Sequence, residues 1–403
     1  MDNENFEQQE LFRQEKYISD LIEQKTPKNK SSLNTIFGSS ILTSMIVLSF
    51  LYVFGIFNED EFIIPDPITI TETITEKEVI MPRIDSTSIV SIAEIATKTI
   101  VQIQVGQINK ENNEFISIGG GSGVVISAEG LIITNHHVID DAEAVKVFFE
   151  DGRMYEAEII GSDMLTDIGL VKIESSNLIP IVIGNSDVLF VGDLAVAIGH
   201  PLTLGAAPTV TTGIVSALER RLDVGGQDMN SSVTLFGLIQ TDAPITRGSS
   251  GGALLNQNGE LIGITTAIAT ADVGAEGLGF AVPINLALNI SQDLVDDGKV
   301  YHAFLGILGA QHYEGAEDGA IIFSGVEIQE LYGPANDIYA IGKAGAMPGD
   351  IIKKVNGKNI KTLDGLITLL RSKKAGDEIS IEITRNDQVI TLEFLLDLRP
   401  SDV

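Results

Sequence analysis

Cysteine is absent from all 403 residues, so the chain can build neither a disulfide framework nor a thiolate metal site. Its redox compartment is therefore not legible from thiols. Histidine is scarce: the five, His136, His137, His200, His302 and His312, show no H-x-x-x-H or H-E-x-x-H spacing. That excludes the usual zinc signatures, so no metal and no cofactor is expected. Positive charge is also short, with 26 Lys and Arg against 56 Asp and Glu and a formal net charge of −30. Such a surface repels phosphate, and nucleic acid is not an expected partner. No repeat of solenoid length is visible. Apolar residues, in contrast, make up 44% of a chain long enough for two or three domains, which excludes global disorder.

One long uncharged run stands out. "IFGSSILTSMIVLSFLYVFGIF", residues 36–57, holds 22 positions without a charge and as a helix spans roughly 33 Å. It is expected to be a transmembrane helix. A cleaved signal peptide fits less well, because the run is too long, starts 35 residues in and lacks an A-x-A-like cleavage site. Lys25, Lys28 and Lys30 precede it, and Glu59, Asp60 and Glu61 follow it. The positive-inside rule then keeps residues 1–35 in the cytoplasm and sends everything after the helix outside. Residues 58–87, rich in Thr, Pro and acids, read as an extended linker. Its "ITITETIT" could alternatively form a strand.

From Ile89 the texture changes. A short amphipathic stretch, "SIVSIAEIATKTI", leads into many strand-like runs such as "VQIQV", "GLIITN", "AVKVFFE", "LAVAIG" and "LFGLIQT". Turn residues punctuate them at about ten-residue intervals, the pattern of an all-β sandwich or barrel. On this framework "LIITNHHVI" puts His136 and His137 at a strand end, "TDIGLVKI" puts Asp167 just before a strand, and "TRGSSGGALL" puts Ser250 in a loop entering another. Each alone is ordinary. Together they supply what acyl transfer needs: a hydroxyl nucleophile, an imidazole to take its proton, and a carboxylate to fix the imidazole's tautomer. Gly248 and Gly251 allow the tight backbone that aims the N–H groups of Gly248 and Ser250 at an oxyanion. A second glycine run, "GGGSG" at residues 119–123, lacks the Lys-Ser/Thr pair of a phosphate cradle and reads as a β-turn.

Three segments carry a family resemblance: "GGGSGVVISAEGLIITNHHVI", "DGRMYEAEIIGSDMLTDIGLVKI" and "LIQTDAPITRGSSGGALLNQNGELIGITTA". In this order they resemble the HtrA family of trypsin-like serine proteases. The resemblance implies an all-β two-barrel chymotrypsin-like domain over 88–298. It makes His137 the general base, Asp167 the orienting acid and Ser250 the nucleophile, with Gly248, Ser249 and Ser250 around the oxyanion hole. Ser249 stands where the family normally has Asn, His200 where it commonly shows Asn, and Leu202 where close relatives place an aromatic partner for Arg220. Arg220, in the expected loop 219–234, would carry regulatory signals. Pro244 replaces the acid that would select basic side chains, and Ile264 to Ala271 are mostly apolar or small, so a small or medium aliphatic residue is expected before the scissile bond.

The last hundred residues resemble a PDZ domain, an α+β unit assigned to 299–403. Phe304, Leu305, Gly306 and Ile307 match the loop that holds a peptide's C-terminal carboxylate. His302 stands ahead of them, where relatives often carry a basic residue, which suggests weaker or pH-dependent binding. The resemblance therefore implies a membrane-anchored protease of a bacterial inner membrane, single-pass, with protease and PDZ domains in the periplasm. Expected partners are a protein substrate of the anti-sigma-factor type, C-terminal peptides of misfolded envelope proteins, the membrane through one helix, and two further copies in a homotrimer. Alternatives are a general quality-control protease and a catalytically silent chaperone or peptide-binding scaffold.

Overall fold

The computed structural model describes residues 88–200, 207–224, 233–266, 278–315, 320–333 and 338–400. The expected transmembrane helix, the tail before it and the linker after it lie outside the described residues, as does Leu202. Among those described, no helix is long and apolar enough to cross a membrane. All of them fall within one compact unit, Ile80–Val403.

The chain enters through α1 (Ile89–Ala96), capped by the Ser88 hydroxyl, which accepts from the Ser91 N–H. Its buried face, Ile92 and Ala96, packs on the barrels, whereas Val90 and Ile95 are exposed. A closed antiparallel barrel follows: β1 (Ile100–Ile108), β2 (Phe115–Val125), β3 (Leu131–Thr134), β4 (Ala144–Phe148), β5 (Met154–Asp163) and β6 (Ile168–Ile173), ordered β1-β2-β3-β6-β5-β4. In "IVQIQV" the period of two sends Val101, Ile103 and Val105 inward and leaves Gln102 and Gln104 half-buried. These apolar faces meet Val125, Ile132, Val147 and Val171 in the barrel core.

A second closed barrel has the order β10-β11-β12-β9-β8-β7. It consists of β7 (Leu194–Gly199), β8 (Thr209–Val224), β9 (Val233–Thr241), β10 (Ala253–Leu255), β11 (Leu261–Thr266) and β12 (Gly279–Pro283). A shared cluster that includes Ile133, Leu170, Ile198, Leu255 and Leu294 ties the barrels together. The one-turn α2 (His136–Ile139) follows β3, and α3 (Ile284–Asp297) follows β12. Gly298, at φ 69°, ends α3 with its N–H on the Leu294 carbonyl.

The C-terminal unit has its own core, which includes Val326, Ile352, Leu366, Ile381 and Ile383. Its sheet runs β14 (Ile307–Gly315), β15 (Ile321–Leu331), β16 (Ile351–Val355), β18 (Glu378–Arg385), β19 (Gln388–Leu395), with β17 (Lys358–Asn359) on β16. A short pair joins β13 (Ala303–Phe304) to β20 (Asp397–Leu398). Helices α4 (Ala340–Lys343) and α5 (Leu363–Arg371) complete it, α5 being capped by Thr362.

Two expectations fail here. Residues 119–123 form no β-turn; they lie within β2, where Gly121 and Ser122 pair with Ile103 and Gln102 of β1. Residues 219–224 are not loop but the end of β8, paired with β9 through Arg220↔Leu238 and Asp223↔Thr234. In both places polar or glycine-rich sequence is held extended by neighbouring strands, which overrides local propensity.

Candidate active site

The three residues expected to act together come from connections at the junction of the barrels. His137 sits on α2, Asp167 in the turn between β5 and β6, and Ser250 between β9 and β10. Asp167 adopts φ 57°, a left-handed conformation that aspartate tolerates better than most residues and that functional sites often contain. The reason is visible in its contacts. Its carbonyl accepts from the Asn135 side-chain amide at 2.9 Å and from the His136 N–H at 3.2 Å. Its carboxylate accepts from the His137 backbone N–H at 3.2 Å, from His137 Nδ1 at 2.9 Å and from the Thr266 hydroxyl at 3.1 Å.

An ionised carboxylate can only accept, so the proton shared with His137 resides on Nδ1 and the lone pair on Nε2. The Asp167 side chain is 4% exposed and that of His137 33%, so the acid is sealed while the imidazole remains accessible to a substrate.

Around Ser250, the Ser249 N–H donates to the Thr246 carbonyl at 2.9 Å and Gly248 has φ 95°. This is a β-turn with glycine at its third position, as a type II turn requires. Ser249 therefore spends its N–H inside the turn, in keeping with a place beside the oxyanion hole rather than as one of its donors. Gly251, at φ 82°, is the other glycine the site needs, since a Cβ there would meet the Ser122 carbonyl at 2.2 Å. His136 is turned away from this chemistry: its Nδ1 meets the Ser162 hydroxyl at 2.8 Å. His200 is fully buried, and burial holds its imidazole below the usual histidine range.

Arg220 donates from Nε to the Gln240 side-chain carbonyl at 2.9 Å, and it is Arg221 that comes within 4.0 Å of Asp364 on α5. Ile264 to Thr266 are buried in β11, while residues 267–271 of the expected specificity wall lie outside the described residues.

The expected peptide-binding residues do come together. Phe304, Leu305, Gly306 and Ile307 border a groove of about 610 Å³ whose other wall includes Leu366 and Leu370 of α5. Gly306 takes φ 72°, and its carbonyl accepts from the Tyr332 N–H at 2.8 Å. Met164, Leu165 and Phe236 of the barrels also line this groove. His302 also borders the groove, and its Nε2 is engaged by the Asp163 carboxylate at 2.7 Å.

Asp163 also accepts from the Thr166 N–H at 3.0 Å, and Arg371 donates to the carbonyls of Leu165 and Thr234. Thus the segment leading to Asp167 is gripped from the C-terminal unit. Burial alone would raise the Asp163 carboxyl, but His302 and Thr166 outweigh it and hold it below the ordinary carboxylate range. Burial also pushes the Arg371 guanidinium down to about 10, still charged at neutral pH.

A depressed folded-state pKa stabilises the fold above the unfolded value of about 4 and ceases to do so as pH falls through the lower folded value. Asp163→Asn should therefore cost about 1.5 to 3 kcal/mol at pH 7, the range for hydrogen bonds to charged groups. In urea titrations the gap to the unsubstituted chain should narrow as the pH drops below about 4. A gap that stays constant down to pH 2 contradicts this assignment.

Sequence reasoning missed Thr266, Asn135 and Ser122. Asn135 had a signal, since it abuts His136, whereas Thr266 lies 99 residues from the acid it supports and nothing local marks it.

Paired antiparallel barrels, with His137 and Asp167 on connections of the first and Ser250 on a connection of the second, have the architecture of trypsin-like peptidases, here followed by a PDZ-like unit. A model of the trypsin-like peptidase domain matches residues 121–264, and one of the PDZ domain matches 312–396. The chain is 42% identical over 290 residues to the periplasmic pH-dependent serine endoprotease DegQ of Escherichia coli strain K12, covering 70% of this chain and 60% of that protein. It is 39% identical over 289 residues to the periplasmic serine endoprotease DegP of Salmonella typhimurium, covering 71% and 58%. The chain thus spans about 60% of the length of these curated relatives. Among solved structures, the HtrA-type protease AlgW with a tripeptide aligns with a TM-score of 0.60 at 33% identity, covering 78% of this chain and 98% of that one. The chain belongs to the HtrA-type serine protease family.

Proposed function

We propose that the chain is a serine endopeptidase in which Ser250 attacks the scissile carbonyl, His137 Nε2 takes its proton, and Asp167 stabilises the resulting imidazolium. The N–H groups of Gly248 and Ser250 bind the oxyanion of the tetrahedral intermediate. His137 then returns the proton to the leaving amine, and water repeats the cycle on the acyl-enzyme. The observation that carries this reading is the His137 Nδ1–Asp167 contact of 2.9 Å, closed from the second barrel by Thr266.

In the fuller reading, the chain is a single-pass protein of a bacterial inner membrane, its N-terminus cytoplasmic and its protease and PDZ domains periplasmic. It is activated by C-terminal peptides and cleaves a regulatory membrane protein of the anti-sigma-factor type. The charge-free run and its lysine-before, acid-after flanks support the anchor, and the groove at Phe304 to Ile307 supports the peptide. Exposed Val90 and Ile95 on α1 are the surface a homotrimer would use. The DegQ and DegP relatives favour a second reading, general quality control, in which activity needs no such peptide.

The two separate in one assay of the full chain in detergent. Peptides with a free C-terminal carboxylate and an aliphatic or aromatic last residue should raise kcat/KM roughly 5- to 150-fold, and the same peptides as amides should not. Equal basal and stimulated rates contradict the regulatory half and leave the protease half standing.

A further inference from the structure

The glycine run of β2 is left unexplained by the three catalytic residues, yet the nucleophile's loop lies directly on it. A Cβ on Gly121 would meet the Ser250 carbonyl oxygen at 2.8 Å, and one on Gly199 of β7 would meet the Ser249 Cα at 2.9 Å. Between them sits Ser122, fully buried. Its backbone N–H donates to the Ser250 carbonyl at 2.7 Å, and its own carbonyl accepts from the Thr134 hydroxyl at 2.7 Å. Its hydroxyl donates to the Gly248 carbonyl at 2.7 Å and accepts from the His200 N–H at 2.7 Å. One residue of the first barrel therefore holds two carbonyls of the second barrel's loop.

We propose that Ser122 is a positioning residue for the reaction, its hydroxyl fixing the peptide plane that follows Gly248 so that the turn presents its N–H groups to the oxyanion. The proposal rests on the protease reading above. The 248–249 peptide is held at both ends, its carbonyl by Ser122 Oγ and its N–H by the Thr246 carbonyl at 2.9 Å. The next carbonyl, that of Ser249, accepts from the Thr265 hydroxyl at 2.6 Å, and the one after it accepts from the Ser122 N–H.

Glycine at 248 and 251 makes this loop able to adopt its positive φ values, but the same freedom leaves other conformations accessible. External clamps must select one. The hydrogen-bond roles are fully determined: the Gly248 carbonyl can only accept and the His200 N–H can only donate, so the Ser122 hydroxyl must donate to one and accept from the other. Alanine at 122 leaves both groups buried and unpaired. A side chain that only glued the barrels together would affect stability, whereas one that orients the oxyanion donors affects the transition state.

The test uses the full chain in detergent, a peptide amide substrate with an aliphatic residue before the scissile bond, and a matching peptide boronic acid. In the boronate adduct Ser250 Oγ bonds to boron, its proton passes to His137, and the tetrahedral boron carries the negative charge that occupies the oxyanion site. Ser122→Ala should lower kcat by about 10- to 100-fold, the scale of a small misplacement of reacting groups. KM should hold, and boronate affinity should fall by the same factor as kcat. Ser122→Cys, close in size with a weak donor, should fall between the two and carries the test if the alanine variant does not fold by circular dichroism. Folded variants with unchanged kcat and boronate affinity overturn the proposal, as does a rise in KM with kcat intact. An unsubstituted chain that, with and without a carboxylate-terminated activating peptide, neither cleaves the substrate nor binds the boronate overturns the protease reading itself.

Discussion

Ser250→Ala is expected to lower kcat on a peptide or denatured-protein substrate by roughly a millionfold, the scale on which a serine protease triad fails when its nucleophile is removed. The effect is this large because the triad acts as a unit: without the hydroxyl, His137 and Asp167 have no proton to move for the substrate. The fold should survive. The substitution removes one oxygen, and the backbone contacts that hold the loop, such as the Ser250 carbonyl on the Ser122 N–H at 2.7 Å, remain. Ser249→Ala separates the two serines of the doublet. Its N–H and carbonyl belong to the backbone and keep their bonds to Thr246 and Thr265, so at least part of the activity should remain. Parallel kinetic and circular dichroism measurements check this, and an active Ser250→Ala chain contradicts the assignment.

Asp167→Asn carries the second largest expected effect, a fall in kcat of about ten-thousandfold. The carboxylate accepts from three groups: the His137 backbone N–H, His137 Nδ1 and Thr266. An amide has one accepting oxygen and one donating nitrogen, so it cannot satisfy all three. If its oxygen stays on the His137 backbone, its nitrogen faces acceptors and draws the imidazole into the tautomer with the proton on Nε2. That tautomer cannot take a proton from serine. The same variant should retain KM and peptide binding in the groove at Phe304 to Ile307, since neither involves Asp167. A loss of less than tenfold would mean that His137 is oriented by some other group.

The parts of this site that were legible in the sequence are those whose chemistry is local. His137, Asp167 and Ser250 each sit in a short segment where a strand end meets turn residues, and the three types together have few other joint uses. The alternating "IVQIQV" and "AVKVF" mark barrel strands because a period of two is imposed by the pleat itself. What was not legible depends on contacts between distant segments. Ser122 reads as a turn residue in "GGGSG" until β1 takes up one edge of the strand and the Ser250 loop the other. Ser249 reads only as a neighbour within the oxyanion loop, because the bond its N–H makes in closing the turn on Thr246 leaves no mark in the sequence. Arg220 reads as a loop residue because "ERRLDV" lacks alternation, yet pairing with β9 continues the strand past it. His302 reads as a modifier of carboxylate binding, whereas its partner, Asp163, lies 139 residues away in the first barrel.

The central claim, that Ser250 is an activated nucleophile, is tested most directly by treating the full chain with a fluorophosphonate and mapping the adduct by mass spectrometry, with and without a carboxylate-terminated peptide. Ser250 Oγ should displace fluoride from phosphorus and appear as the single modified serine, and the adduct should be lost in His137→Ala. No adduct under either condition, or an adduct on Ser249 instead, would contradict the account.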